Sequence, residues 1–224
     1  AGRHGQISPQ HATSSVSSSS RNTLPAIVDR PQVIFNGTSP MLVGSAVGSQ
    51  HSAVLTSSGD VLGLGSNRKG QLDFSSWKNV QSIDCTWNGT YAILPGSVVV
   101  ATGSNTHGQL GHLAESPVDS SSAIRGPEFP PEVREMGIRK LACGSEHVLT
   151  LWGEMGSSRA REVWAWGWNE HGNLGLGTKE DTHIPVKIFP ADISQVPEAS
   201  LLVDVWGGSG TSWICCSTQE NERV

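Results

Sequence analysis

Histidine, cysteine and tryptophan are the side chains of this 224-residue sequence whose types and spacing could support chemistry. His51 and His147 each close a G-x-x-H string, Gly48 to His51 and Gly144 to His147. Zinc ligation would require further nitrogen, sulfur or carboxylate donors converging on each imidazole, so both are read instead as buried groups that hydrogen-bond across strands. His107 and His171 stand in turns near an asparagine, where acid–base or nucleophilic catalysis would need a carboxylate or nucleophile at a defined spacing. The sequence shows none, so no catalytic residue and no metal site are assigned. The four cysteines, Cys85, Cys143, Cys215 and Cys216, have no C-x-x-C spacing. Three lie in apolar runs, as buried reduced thiols do, which points to a reducing intracellular compartment. The glycines form no G-x-x-x-x-G-K-[ST] phosphate loop, and Lys69-Gly70 has the two residues in the wrong order, so no cofactor is expected.

Eight tryptophans stand against one tyrosine and four phenylalanines. Trp164, Trp166 and Trp168 alternate, which allows all three to share one side of a strand, with packing as the expected role. Trp87 and Trp168 differ, because each adjoins a glycine- or asparagine-flanked turn where an indole can stay exposed. Aromatic anchors dominate many protein interfaces. That makes Trp87, Asn88, Trp168, Asn169 and His171 the candidate partner-binding residues. The sequons Asn36-Gly37-Thr38 and Asn88-Gly89-Thr90 would matter only in a secreted chain and are read as chance.

Bulk properties narrow the function classes. A net charge of −5, a pI near 5.9 and only 15 Lys and Arg give no basic field for phosphates, so direct nucleic-acid contact is not expected. No apolar run reaches bilayer length and no charged-then-apolar leader opens the chain, so a soluble protein without membrane contact is expected.

The elements that must hold these residues repeat. Gly65-Ser-Asn-Arg-Lys-Gly70-Gln-Leu72 recurs as Gly103-Ser-Asn-Thr-His-Gly108-Gln-Leu110 and as Gly167-Trp-Asn-Glu-His-Gly172-Asn-Leu174, with a shortened copy from Gly2 to Ile7. In this G-x-N-x-x-G-[QN]-L turn the glycines supply positive φ, the asparagine tolerates it, and the leucine re-enters the core. Ahead of the turns run Gly48 to Leu55 and Gly144 to Leu151, with degenerate copies from Cys85 to Ile93 and from Trp206 to Ile214. Short β-rich segments, 60–64, 97–101 and 163–166, connect the two elements. Each unit reads as about four short strands, and no window keeps a helical apolar period. The fold class is therefore all-β: a β-propeller in a single domain over 1–224, with about four blades visible. Gly48, His51, Gly65, Gly70, Gly103, Gly108, Gly144, His147, Gly167 and Gly172 are its structural repeat residues. Segments 11–22 and 115–135 read as mobile insertions, and 155–161 as a shorter hairpin loop. The last unit stops at residues 214–217 without its turn while the first supplies only a turn, so the N-terminal strand is expected to close the ring on the C-terminal blade.

These paired strings resemble the regulator-of-chromosome-condensation repeat. Residues 46–73, 85–94 and 144–173 are similar more narrowly to the fungal α-tubulin suppressor branch of that family. The resemblance implies a seven-bladed, non-enzymatic propeller without a cofactor, in cytoplasm and nucleus. It implies as partner a small acidic zinc protein of the CSL type, serving diphthamide synthesis and Elongator-dependent tRNA wobble-uridine modification, with Elongator a further partner. Guanine-nucleotide exchange on a small GTPase, the activity of the founding member, is the alternative. About four blades against seven is the departure.

Overall fold

The structure is a computed structural model that describes residues 41–113, 125–156, 160–190 and 200–218. It is nearly all β, as its sequence pattern implies. The strands are β1 (Leu42–Val47), β2 (His51–Thr56), β3 (Val61–Gly65), β4 (Ser82–Cys85), β5 (Gly89–Leu94), β6 (Val98–Gly103), β7 (Met136–Cys143), β8 (His147–Glu154), β9 (Ala160–Gly167), β10 (Thr182–Phe189), β11 (Ser200–Gly207) and β12 (Ser212–Thr218). The one helix among the described residues, α1, has four residues, Pro131–Arg134. None is long and apolar enough to cross a membrane.

The strands form antiparallel blades. The first is β1-β2-β3, the second β4-β5-β6, and the third β7-β8-β9 with β10 added on the far side of β9. The β11–β12 hairpin begins a fourth, joined to β9 through Leu202 and Ala160. The expected four-strand unit is thus complete only in the third blade among the described residues. The closing strand expected from Gly2 to Ile7, and the segment 11–22, lie outside the described residues.

Consecutive residues of the central strands enter different cores because strand side chains alternate between faces. In β5, Tyr91 and Ile93 join the core between the second and third blades, whereas Ala92 and Leu94 join the core between the first and second. In β9, Trp164 and Trp166 face the second blade while Val163 and Ala165 face β11 and β12. A strand sandwiched in this way needs apolar residues at every position, which accounts for the buried runs Tyr91 to Leu94 and Val99 to Ala101. Trp168 does not continue the row expected from alternation, because Gly167 at φ 101° turns the chain off the strand. Of the segment 115–135, only 125–135 is described. There Phe129 packs edge-on against Trp152 and Trp166, with ring centroids 4.9 and 5.6 Å apart, and Val133 is fully buried.

The two G-x-x-H histidines are structural links between blades. His51 Nε2 lies 3.0 Å from the Thr90 hydroxyl, which itself donates to the Gln71 carbonyl at 2.7 Å. With its own hydrogen engaged, the hydroxyl accepts, so the imidazole proton sits on Nε2. His147 Nε2 lies 3.1 Å from the Ser212 hydroxyl of the next hairpin. Each ring covers the glycine three residues earlier, and a Cβ on Gly144 would meet that ring and the Gly208 carbonyl.

Burial holds the His51 imidazole below its ordinary value and that of His147 down at about 4. The unfolded chain takes up a proton on His147 near 6.5, the fold only near 4. The stability this group contributes is therefore full above pH 6.5 and is lost as pH falls through the window down to about 4. The loss approaches about 3 kcal/mol. Urea midpoints measured across that window are expected to fall with acid, and His147→Gln, though less stable at neutral pH, is expected to show a shallower fall. An unchanged acid slope in the variant would refute the assignment.

Candidate functional site

The G-x-N-x-x-G-[QN]-L turns are held by their asparagines, and not in the way the sequence implies. Among the described residues, those with positive φ other than glycine are Asn79 and Ser97, neither of them a turn asparagine. Asn67, Asn105 and Asn169 instead accept, through Oδ1, the backbone N–H of Leu72, Leu110 and Leu174 at 2.8, 2.9 and 2.9 Å. The following Gln71 and Gln109 accept the N–H of Lys69 and His107 at 2.8 and 2.7 Å. Each turn thus carries its own internal clamp, and each leucine packs into the core between its own blade and the next.

Turns and hairpin tips are bound to one another in a fixed pattern. Ser66, Ser104 and Trp168, each just past a strand-ending glycine, donate their N–H to the carbonyls of Gln50, Asn88 and Glu146 at 2.8 to 2.9 Å. A Cβ on Gly167 would sit 2.5 Å from the Glu146 carbonyl, so this approach needs glycine there. Hairpin tips also join from blade to blade: Ser49 N–H to Trp87 O at 3.0 Å, Trp87 N–H to Ser145 O at 2.7 Å, and Ser145 N–H to Gly208 O at 3.1 Å. The Ser145 hydroxyl donates to the Ser209 carbonyl as well.

This geometry brings Trp87, from the β4–β5 tip, and Trp168, from the turn after β9, to one cavity of about 330 Å³. Ser145, Glu146, Glu170 and His107 complete its lining. Trp87 is 51% exposed. The Glu146 carboxylate is anchored on both oxygens, by Asn88 Nδ2 at 2.5 Å and by Gln109 Nε2 at 2.9 Å. His107 Nδ1 lies 2.8 Å from Asp181, whose other oxygen accepts the Asn169 N–H at 2.8 Å. Trp168 meets the exposed His171 edge-on at 4.8 Å.

Of the five residues singled out from the sequence, Trp87 and Trp168 line the cavity. Asn88 stands behind it as an anchor of Glu146. His171 flanks Trp168. Asn169 is fully buried, with Nδ2 donating to the carbonyls of Thr178 and Glu180 at 3.1 and 3.0 Å, so its side chain belongs to the turn and not to a contact surface. Sequence reasoning missed Glu146 and Glu170. Glu146 carries a faint signal: it occupies the hairpin-tip position held by Gln50 and Asn88 in the other units, the point at which the repeat varies. The cysteines offer no reactive thiol in this region, since burial pushes Cys85 up to about 12 and Cys143 well above its ordinary value.

Sequence profiles of the regulator of chromosome condensation (RCC1) repeat match residues 46–71 and 162–198. The chain carries RCC1 repeats. Mouse (Mus musculus) secretion-regulating guanine nucleotide exchange factor is 31% identical over 201 residues, covering 78% of this chain and 40% of that protein. Ultraviolet-B receptor UVR8 of Arabidopsis thaliana is 24% identical over 164 residues, covering 66% of this chain and 34% of the receptor. Among solved structures, human WBSCR16 superposes with a TM-score of 0.61 at 20% identity, over 81% of this chain and 46% of that one, a likeness of fold. The chain spans 40% of the length of the mouse exchange factor and 39% of that of its bovine (Bos taurus) counterpart. Both profile matches contain a repeat element described above: 46–71 holds the Gly48–His51 tip and most of the following turn, and 162–198 holds the Gly167–Leu174 turn.

Removing the asparagine clamp of an RCC1 turn has a defined cost. Asn169→Ala strips three hydrogen bonds from buried groups and is expected to lower unfolding free energy by about 3 kcal/mol. The exposed neighbour His171→Ala is expected to change it by less than about 0.5 kcal/mol. Urea titration of the two variants checks the contrast, and equal losses would contradict it.

Proposed function

We propose that these RCC1 repeats act as a non-enzymatic docking scaffold whose partner seats at the junction of the second and third blades. One observation carries this reading: a half-exposed indole, Trp87, stands at the mouth of a cavity that also holds Trp168 and two carboxylates. An exposed tryptophan beside a second one, on hairpin tips cross-linked by backbone hydrogen bonds, is a rigid anchor of the kind that dominates interface energetics. Because the tips are already fixed to each other, little ordering entropy is lost on docking.

The partner to which the sequence resemblance leads is a small zinc protein of the CSL type. The scaffold would then support diphthamide synthesis and Elongator-dependent tRNA wobble-uridine modification in cytoplasm and nucleus, with Elongator as a further partner. Similarity in residues 46–73 and 144–173 supports this identity. The acidic lining of the cavity adds a requirement, that a partner acidic overall present a local basic patch at this site.

A second reading, guanine-nucleotide exchange on a small GTPase, is favoured by relatives named as guanine nucleotide exchange factors. Two measurements decide. Affinity capture from a eukaryotic extract with the wild-type chain and with Trp87→Ala is expected to recover a CSL-type zinc protein with the first and to lose at least tenfold of it with the second. Recovery that ignores Trp87 would overturn the docking face, and absence of any such zinc protein would overturn the named partner. Nucleotide release from candidate small GTPases is expected to be unaffected by the chain, whereas acceleration would establish the exchange reading in place of the scaffold.

A further inference from the structure

The cavity between Trp87 and Trp168 has a chemistry that selects its occupant. Its two aromatic walls face two carboxylates, Glu146 and Glu170. Glu146 is fixed in place by Asn88 and Gln109, and so is oriented before anything binds. Glu170 is exposed, and no hydrogen bond or ion pair among the described residues engages its carboxylate. His107, the basic group in the lining, stands against Asp181 at 2.8 Å, so any charge it takes is already matched. The site is therefore net acidic within a chain of net charge −5.

An apolar occupant would strip water from these carboxylates and return no counter-charge. An acidic one would be repelled. At about 330 Å³ the space lies at the small end of ligand pockets, with room for one long side chain and the water around it. A guanidinium is cationic and small enough for the space, and it is weakly hydrated, stacks on indole faces and matches a carboxylate with its fork of N–H donors.

We infer that this cavity is a receptor for a basic side chain, an arginine of the docked partner protein, held between Trp87 and Trp168 and paired with Glu146 and Glu170. The inference rests on the docking reading and gives it a recognition chemistry. Glu146, already anchored, fixes the direction of the guanidinium. Glu170, free to swing, closes on it from the solvent side.

The test uses the full chain and a defined probe, the capped tripeptide acetyl-Gly-Arg-Gly-amide, against its neutral isostere with citrulline in place of arginine. Indole N–H resonances are followed by NMR and assigned with Trp87→Phe and Trp168→Phe. The arginine peptide is expected to shift both indole signals saturably, and the citrulline peptide to bind at least fivefold more weakly. Glu170→Gln, at an exposed position where folding is not at stake, is expected to weaken the arginine peptide about fivefold and to leave citrulline unchanged. Equal binding of the two peptides, indifference to Glu170→Gln, or shifts confined to other tryptophans would each overturn the inference. Partner capture that depends on Trp87 without any arginine selectivity would remove this inference alone. Capture indifferent to Trp87 would remove the docking reading, whatever the peptide does.

Discussion

Hairpin tips of successive blades approach closely enough to bond through their backbones, and the rest of the molecule follows from that. The relay from Ser49 through Trp87 and Ser145 to Gly208 sets the spacing of the blades at one end. It works only where side chains make room. Gly48 and Gly144 lie under the rings of His51 and His147, and Gly167 lies against the Glu146 carbonyl. The histidines then reach across to Thr90 and Ser212, so each unit is tied to the next by backbone and side chain together. Leaving these imidazoles neutral is the electrostatic condition of that arrangement.

Between the blades the ties are apolar. Tyr91, Trp152, Trp164, Trp166 and Phe129 fill the space between the second and third blades, and two of the polar ends of this cluster converge on one acceptor. Tyr91 Oη and Trp166 Nε1 both donate to the Gln109 carbonyl, at 2.8 and 2.7 Å. Gln109 also reaches Glu146 through its side chain. One residue of the turn after β6 therefore couples the aromatic core to the acidic wall of the cavity, so the position of Glu146 is set by the packing of two blades. Lys140, over the Trp206 ring at 4.9 Å and paired with Asp204 at 2.6 Å, makes a comparable tie toward the β11–β12 hairpin.

Much of this was legible in the chain itself. The recurrence of G-x-N-x-x-G-[QN]-L and of G-x-x-H, with apolar runs of strand length between, determined an all-β repeat architecture, because glycine-bounded turns joined by short apolar runs leave little length for helices. It also determined that His51 and His147 would sit inside and bond across strands. Local chemistry sufficed for these: turn type, period and flanking residues depend on near neighbours.

Other features depend on residues far apart in sequence. That Asn169 is buried while Trp168 beside it lines a cavity follows from the bend at Gly167 and from contacts with Thr178 and Glu180. That Trp87 and Trp168 share one site, with Glu146 and Glu170 between them, follows from the angle at which two blades meet, which no repeat specifies by itself. A repeat encodes its own turn and its own strands. Only the stacking of one unit on the next brings side chains from different units within contact distance and gives the surface between them its shape and charge.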